Sequence, residues 1–289
     1  MNNLLEYIGK YGEEVTQFIN RRISTSCAPQ ALKESCLYSI NAGGKRIRPV
    51  LFLMTLDALG VIINEKHIAF ASAIEMIHTY SLIHDDLPAM DNDEFRRGKL
   101  TNHKKYGEAY AILTGDALLN LAYETMLDYS STKKEITAAK DIAKASGYEG
   151  MVGGQILDMN KLDNVMDISE MYSLKTGALI KASVISAAII AGCNKNALKR
   201  LSDFALNLGI AFQLRDDIID KTDINENTGK PKNSDNRNDK STYISIKGNK
   251  ANEIKLHKHT EKALKAIEVY GSSYDMLRSL THYLDNRMK

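Results

Sequence analysis

The chain has 289 residues, of which 44% are hydrophobic and 26% are charged, so it has ample apolar material for a large buried core. Its 38 Lys and Arg residues nearly balance its 36 Asp and Glu residues, and a net charge of +2 argues against a nucleic-acid-binding protein, which usually has a basic excess. The three cysteines have no metal-ligand spacing, and the N-terminus does not resemble a signal peptide. The longest apolar run, Ala182 to Cys193, is too short to span a bilayer. These observations predict a cytoplasmic protein without membrane insertion.

Helical periodicity dominates the chain from its beginning. Apolar residues recur three or four positions apart from Leu4 to Phe18, as an amphipathic helix requires. The same periodicity predicts helices over 31–40, 50–59, 67–84, 108–127, 135–148, 168–192, 196–219, 251–269 and 273–286. Strand signals are scarce, and segments 67–84 and 178–192 are apolar on nearly every side, which is typical of buried helices. We therefore predict an all-α helical bundle in which residues 1–289 form a single domain.

The first motif with chemical meaning is the loop Gly43-Gly44-Lys45-Arg46-Ile47-Arg48-Pro49. Its glycines allow the backbone to approach a phosphate closely, while Lys45 and Arg48 supply charge and hydrogen-bond donors. A basic loop alone is a weak signal, but together with Arg96 and Arg97 it predicts a site for an anion.

The first acidic cluster, Asp85-Asp86-Leu87-Pro88-Ala89-Met90-Asp91, follows the apolar segment that carries His78. Carboxylates this dense repel one another unless cations compensate them, and Mg²⁺ commonly binds through carboxylates and substrate phosphates. Pro88 opposes an unbroken helix, so we expect the helix to end near Asp86 and Asp91 to turn back toward Asp85. His78 lies two turns before Asp85 and has two open interpretations, a hydrogen-bonded core residue or a ligand.

The second acidic cluster, Asp216-Asp217-Ile218-Ile219-Asp220, lies more than a hundred residues later. On a helix, Asp216 and Asp220 are about 40° apart around the axis, so both face the same side. One such cluster alone would usually be a helix cap or a solvated surface. Two clusters, each at the end of an apolar helix, instead predict two sets of metal ligands facing each other around one diphosphate.

The segment from Asn225 to Lys240 contains no large apolar residue. Because it directly follows the second cluster and contains Lys230 and Lys240, we interpret it as a mobile lid; a tolerated surface insertion is the alternative.

Taken together, these motifs resemble those of the trans-prenyltransferases in the polyprenyl diphosphate synthase family, and most closely those of its bacterial farnesyl diphosphate synthases. The similarity extends in order from about residue 40 to residue 245. Besides the glycine-rich loop and the two acidic clusters, the matching segments are His78 to His84, Arg96-Arg97-Gly98-Lys99, Gly115 to Leu119, Gly153-Gly154-Gln155 with Asp158, Lys175-Thr176-Gly177, Phe212 to Arg215, Gly229-Lys230-Pro231 and Lys240 to Tyr243.

The resemblance implies an isoprenoid synthase type of bundle around a deep central cavity, with roles for individual residues. Three Mg²⁺ ions, for which Mn²⁺ is an expected substitute, would be held by Asp85, Asp86, Asp91, Asp216 and Asp220. The departing allylic diphosphate would be bound by Arg96, Lys175, Thr176, Gln213, Lys230 and Lys240. The diphosphate of isopentenyl diphosphate would be bound without metal by Lys45, Arg48, His78 and Arg97. The implied catalytic residues are Asp85, Asp86, Asp91, Arg96, Lys175, Asp216 and Lys230.

The implied reaction is the condensation of isopentenyl diphosphate with dimethylallyl and geranyl diphosphates by ionisation, condensation and elimination, in a homodimer. Tyr80 lies five residues before Asp85, about 7.5 Å down the helix axis. That position matches the cavity floor of farnesyl-forming members, so Tyr80, with Ser81, is expected to set product length; simple core packing is the alternative for Tyr80. The competing functions are a geranylgeranyl diphosphate synthase, a class I terpene cyclase and a non-catalytic subunit of a heteromeric synthase.

Overall fold

The computed structural model describes residues 2–160, 162, 164–222 and 241–287. The whole of the predicted lid, from Asn225 to Lys240 with Lys230, lies outside the described residues.

Most of the described residues are helical. The α-helices are α1 (Asn2–Ser24), α2 (Gln30–Ile40), α3 (Ile47–Ala58), α4 (Glu65–Asp85), α5 (Asn102–Tyr106), α6 (Glu108–Asp128), α7 (Lys133–Ser146), α8 (Met151–Asp158), α9 (Val165–Tyr172), α10 (Ala178–Ala191), α11 (Lys195–Thr222), α12 (Tyr243–Lys247), α13 (Asn249–Ala266) and α14 (Asp275–Asn286). A π-helical turn, Ser173–Gly177, joins α9 to α10, and a short 3-10 turn, Ser272–Tyr274, precedes α14. Strands β1 (Phe95–Arg96) and β2 (Lys99–Leu100) form a small antiparallel hairpin.

The all-α prediction is confirmed, and the predicted helical segments coincide with observed helices within a few residues, except that the predicted helix 168–192 is divided into α9, the π-helical turn and α10. Sequence periodicity missed α5, α8, α12 and the hairpin. These elements are too short for a helical period to develop, and α8 contains Gly153 and Gly154, which weaken helix propensity.

The two predicted central helices are buried as expected. Helix α4 packs against α1, α3 and α6, and its buried side chains include Phe70, Ile74 and Ile77. Helix α10 packs against α3, α7 and α11. The first acidic cluster is therefore carried on the end of a helix that core packing holds firmly in place.

One helical stretch of the described chain, Val165–Ala191, is long and apolar enough to cross a membrane by length and composition alone. It is longer than the apolar run from Ala182 to Cys193 on which the sequence prediction rested. However, 56% of its apolar window is buried within the protein, as in the core helix of a soluble protein. Its burial against α7 and α11 and its interrupting π-helical turn assign it to the core.

A separate apolar cluster supports the second acidic cluster. Ile168 and Tyr172 of α9 pack with Leu214 and Ile218 of α11, and Leu256 of α13 completes this cluster. The buried face of α11 is thereby fixed, which leaves Asp216 and Asp220 on the partly exposed side of the same helix.

Candidate active site

The first acidic cluster lies where α4 ends. The last helical residue is Asp85, Asp86 caps the helix, and the chain then folds back so that the Asp91 amide donates to the Asp85 carbonyl over 2.8 Å. The left-handed conformation of Asn92, with φ of 52°, continues this turn. The predicted helix end and the return of Asp91 are both confirmed, in the segment that contains Pro88.

Asp86 is paired with Arg96 of the hairpin. The Arg96 guanidinium donates to both carboxylate oxygens at 2.5 to 2.9 Å, and the Asp86 side chain is only 4% exposed. Asp93 adds a second carboxylate, 3.5 Å from Arg96. Burial lowers the pKa of Arg96, but Asp86 and its neighbours raise it more, so the net pKa is above its ordinary value. In this structure Asp86 therefore faces a protein cation, as a buried carboxylate must.

The hairpin brings Arg97 to the glycine-rich loop. Arg97 and Gly98 have positive φ angles of 54° and 74°, which reverse the chain between the strands. The Arg97 guanidinium lies so close to Gly44 that a side chain there would collide with it, and it donates to the Gly43 carbonyl. The glycines of the loop thus provide the space in which a second cation joins the predicted anion site.

Arg48 and His78 contact each other at a partly buried position. The Arg48 guanidinium is 3.3 Å from His78 Nε2. Burial, followed by Arg48 and Arg97, holds the pKa of His78 well below its ordinary value, so the ring is neutral. Burial also lowers the pKa of Arg48, to about 10, and Arg48 Nε has no hydrogen-bond partner among the described residues. A partly buried cationic group with a spare donor beside a neutral imidazole is suited to an anionic ligand.

These groups lie beside a cavity of about 350 Å³, the size of a small-molecule site. The predicted site residues in its wall are Arg48, His78, Tyr80, Ser81, Asp85, Lys175 and Thr176. Apolar side chains of the wall are Leu82, Met90, Met151, Val152, Ile156 and Met159. The structure therefore brings the basic loop, the first acidic cluster and the Lys175 segment around one space. Among its described lining residues, the second acidic cluster is not represented.

The second cluster is linked to this cavity through the π-helical turn. Thr176 in the cavity wall donates to Gln213 Oε1 over 2.7 Å, and Gln213 Nε2 donates to Asp217 over 3.2 Å. The Tyr172 hydroxyl donates to the other oxygen of Asp217 and accepts from the Tyr243 amide. Thr176 and Gln213, predicted to share a site, are therefore in direct contact, and Asp217 is connected to the cavity wall through them.

Asp216 faces the C-terminal end of the chain. Its carboxylate accepts from Arg287 over 2.5 Å, and its side chain remains 40% exposed. Burial raises the pKa of Asp216, and the nearby cations Arg287, Arg48 and Lys45 oppose that rise. Asp216 is thus within electrostatic reach of the basic loop.

Tyr80 lies in the cavity wall and is only 7% exposed as a residue. Burial, then Tyr123 and Asp85, raises its pKa to about 12, so the phenol is neutral. The His84 ring meets it edge to face at a centroid distance of 5.7 Å and is itself 3.0 Å from the Ile112 carbonyl. Any side chain at Gly115 would collide with His84, so the absence of a side chain at this position of α6 leaves the space that the His84 ring occupies beside Tyr80.

Comparison with known proteins decides the family. The Polyprenyl synthetase family profile matches residues 29–277. The chain is 44% identical to the farnesyl diphosphate synthase of Micrococcus luteus over 91% of both chains, and 42% identical to that of Geobacillus stearothermophilus over 93% of both. Its fold matches a geranyltransferase from Helicobacter pylori, complexed with magnesium and isoprenyl diphosphate, with a TM-score of 0.82, 30% identity and coverage of 98% and 96% of the two chains. This chain belongs to the polyprenyl synthetase family.

The family assignment confirms the predicted resemblance and the prediction of a prenyltransferase. The donor set of the two acidic clusters, all carboxylate oxygens, fits a hard divalent cation. Within the described residues, however, no three acidic, His or Cys side chains stand close enough together to hold a metal ion. Three of the six carboxylates, Asp86, Asp216 and Asp217, are paired with Arg96, Arg287 and Tyr172 instead.

Sequence reasoning missed the roles of two residues that contact predicted site residues, Arg287 beside Asp216 and Asp158 beside Lys175. Arg287 stacks on Phe212, with its guanidinium carbon 3.8 Å from the ring centroid, while Arg48 lies 5.8 Å from the same ring. Arg287 comes from the end of the chain and carries no local motif, so no sequence signal pointed to it. Asp158 was noted only as part of a matching segment, although its carboxylate pairs with Lys175.

Proposed function

We propose that the protein is a farnesyl diphosphate synthase, which joins isopentenyl diphosphate to dimethylallyl and then geranyl diphosphate to give (E,E)-farnesyl diphosphate and diphosphate. One observation carries this proposal: a single cavity has Arg48 and His78, Asp85 and Lys175 in its wall, together with apolar side chains and Tyr80. This condensation needs a charged region that binds two diphosphates and an apolar space that accepts one hydrocarbon chain. The named relatives support the farnesyl product.

In this proposal the departing diphosphate binds between the acidic clusters. Mg²⁺, three ions in our proposal, would be held by Asp85, Asp86 and Asp91 and by Asp216 and Asp220, and would supply charge neutralisation of the leaving group. Arg96 and Lys175 add positive charge on the same side, and Thr176 is oriented by its hydrogen bond to Gln213. Lys230 and Lys240 complete the proposed set.

The other substrate needs a site that holds its diphosphate without releasing it. Arg48, Arg97 and Lys45 provide charge, and neutral His78 can donate a hydrogen bond to a phosphate oxygen. Since only the allylic diphosphate must depart, only that site requires the stronger charge stabilisation.

The apolar wall then governs the fate of the allylic cation. Met151, Ile156 and Met159 line the cavity and limit access of water, whose attack would give alcohols. We propose that the proton lost in the elimination passes to the departed diphosphate, since the strongly lowered pKa of His78 makes its ring a weak base.

We further propose a cytoplasmic, single-domain protein that forms a homodimer. The family match over residues 29–277 supports one domain. Helix α6 presents apolar side chains to solvent, with Leu113 60% and Leu127 65% exposed and Ile112 nearby. Such a face suits an interface with a second copy of the chain. Sedimentation at micromolar concentration should show a dimer, and a pure monomer would contradict this part of the proposal.

The function is tested by incubating the purified protein with radiolabelled isopentenyl diphosphate, dimethylallyl diphosphate and Mg²⁺. We expect a C15 diphosphate as the end product, and loss of turnover when a chelator is added. A C20 end product would indicate a geranylgeranyl diphosphate synthase. Hydrocarbon products would indicate a terpene cyclase, and no product would favour a non-catalytic subunit.

A further inference from the structure

The segment Gly153-Gly154-Gln155 with Asp158 has no role in the function described so far. In the structure it forms α8, which packs against the π-helical turn that carries Lys175. The Lys175 ammonium donates to Asp158 Oδ2 over 2.5 Å. The Asp158 side chain is only 7% exposed and that of Lys175 is 23% exposed. This pair is therefore largely removed from water.

Gly154 fixes the distance between the two backbones. A side chain at Gly154 would overlap the backbone nitrogen and Cα of Lys175 itself. Gly154 and Asp158 are four residues apart, so they lie on the same face of α8. Two residues on one face of α8 therefore contact Lys175. Gly154 packs against its backbone, and the Asp158 carboxylate accepts a hydrogen bond from its ammonium.

The opposite side of the turn is equally confined. A π-helical turn inside a longer helix is a rare feature that occurs often at functional sites. A side chain at Gly209 of α11 would come within 2.8 Å of Gly177 Cα, so α11 also packs closely on this turn. The backbone of Lys175 is therefore held from both sides, and the remaining freedom lies in its four-carbon side chain.

We propose that Asp158 is a positioning residue that holds the Lys175 ammonium at the cavity wall, where it meets the allylic diphosphate. This inference rests on the proposed function. A lysine side chain carries considerable rotamer entropy, and a carboxylate that is itself nearly buried confines the ammonium to one place before the substrate arrives. Gly154 is needed for the same reason, because it sets the separation of α8 from Lys175.

A double-mutant cycle tests whether Asp158 acts through Lys175. Asp158→Asn keeps the size of the side chain and removes its charge. We expect it to raise the KM for the allylic substrate on the order of tenfold, with little change in the KM for isopentenyl diphosphate. Lys175→Gln should have an effect at least as large. The double variant should be no worse than Lys175→Gln alone, because the positioning residue then has nothing to position.

The matched control is Glu149→Gln, which breaks the exposed Lys144–Glu149 ion pair just before α8 and should leave both KM values unchanged. Titration with inorganic diphosphate and Mg²⁺ gives a second readout without turnover, and the same lack of additivity is expected there. Additive losses in both readouts would overturn the inference, and so would a parallel fall of all parameters with melting temperature. A wild-type protein without prenyl transfer would overturn the proposed function, while the diphosphate titration would still decide the role of Asp158.

Discussion

The two acidic clusters use the same residue type in two different backbone settings. In the first cluster the helix stops at Asp85, and a backbone hydrogen bond returns Asp91 to it. In the second cluster α11 continues through Asp216 and Asp220 without interruption. The first arrangement depends on a local break and the second on helical periodicity, so each is encoded within a few residues.

The cations that face the clusters have different origins. Asp86 is paired with Arg96, ten residues along the chain, while Asp216 is paired with Arg287, which is 71 residues away. The Asp86 side chain is only 4% exposed, whereas the Asp216 side chain is 40% exposed. The first counter-charge is thus part of a local motif, and the second depends on how the end of the chain packs.

The largest expected effect comes from removing one carboxylate of either cluster. Asp85→Ala and Asp216→Ala should each lower kcat on the order of a thousandfold, because each removes part of the charge stabilisation of the leaving diphosphate. Neither change should unfold the protein, since carboxylates in a cluster repel one another. Steady-state kinetics and thermal melting measure the two effects.

Asp203→Ala is the matched control for these variants, because Asp203 is an exposed aspartate on the same helix as Asp216. It should leave kcat unchanged. Near-normal activity of both Asp85→Ala and Asp216→Ala would refute the assignment of the clusters to metal ions.

The anion sites near the two clusters should separate kinetically. Arg97→Ala and Lys45→Ala should raise the KM for isopentenyl diphosphate on the order of tenfold, because the loss of one charged contact leaves the phosphate partly unpaired. Lys175→Ala and Lys230→Ala should instead raise the KM for the allylic substrate. Equal effects on both substrates in all four variants would show that the division of cations is wrong.

The two counter-cations provide a smaller, structural test. Arg96→Gln leaves the nearly buried Asp86 without its partner and should cost about 3 kcal/mol of the free energy of unfolding. Arg287→Gln affects a more exposed carboxylate and should cost about 1 kcal/mol. Urea unfolding of the metal-free protein measures both values. A larger loss for Arg287→Gln would reverse the comparison between the clusters.

Much of this site could be predicted because its signals are local. Pro88 predicts the helix end, and helical periodicity places Asp216 and Asp220 on one side of α11. The pairing of Asp216 with Arg287 could not be predicted, because it depends on how α14 packs against α11. The π-helical turn at Lys175 was equally hidden, since the flanking apolar pattern reads as one continuous helix.

Tyr80→Ala should have the smallest effect on the reaction rate and the clearest effect on the chain length of the product. The growing chain must extend away from the diphosphate held near Asp85, into the cavity that Tyr80 lines on the same helix. The ring is braced by His84, which α6 holds through the space at Gly115, so it will not move aside for a longer chain. Its removal should let products pass C15, while the rate of the first condensation, whose product is shorter, stays nearly the same. Chromatographic sizing of the dephosphorylated products gives the answer, with Tyr80→Phe as the control that keeps the ring. If Tyr80→Ala still stops at C15, the floor lies elsewhere, and the proposal of a farnesyl product loses its best structural support.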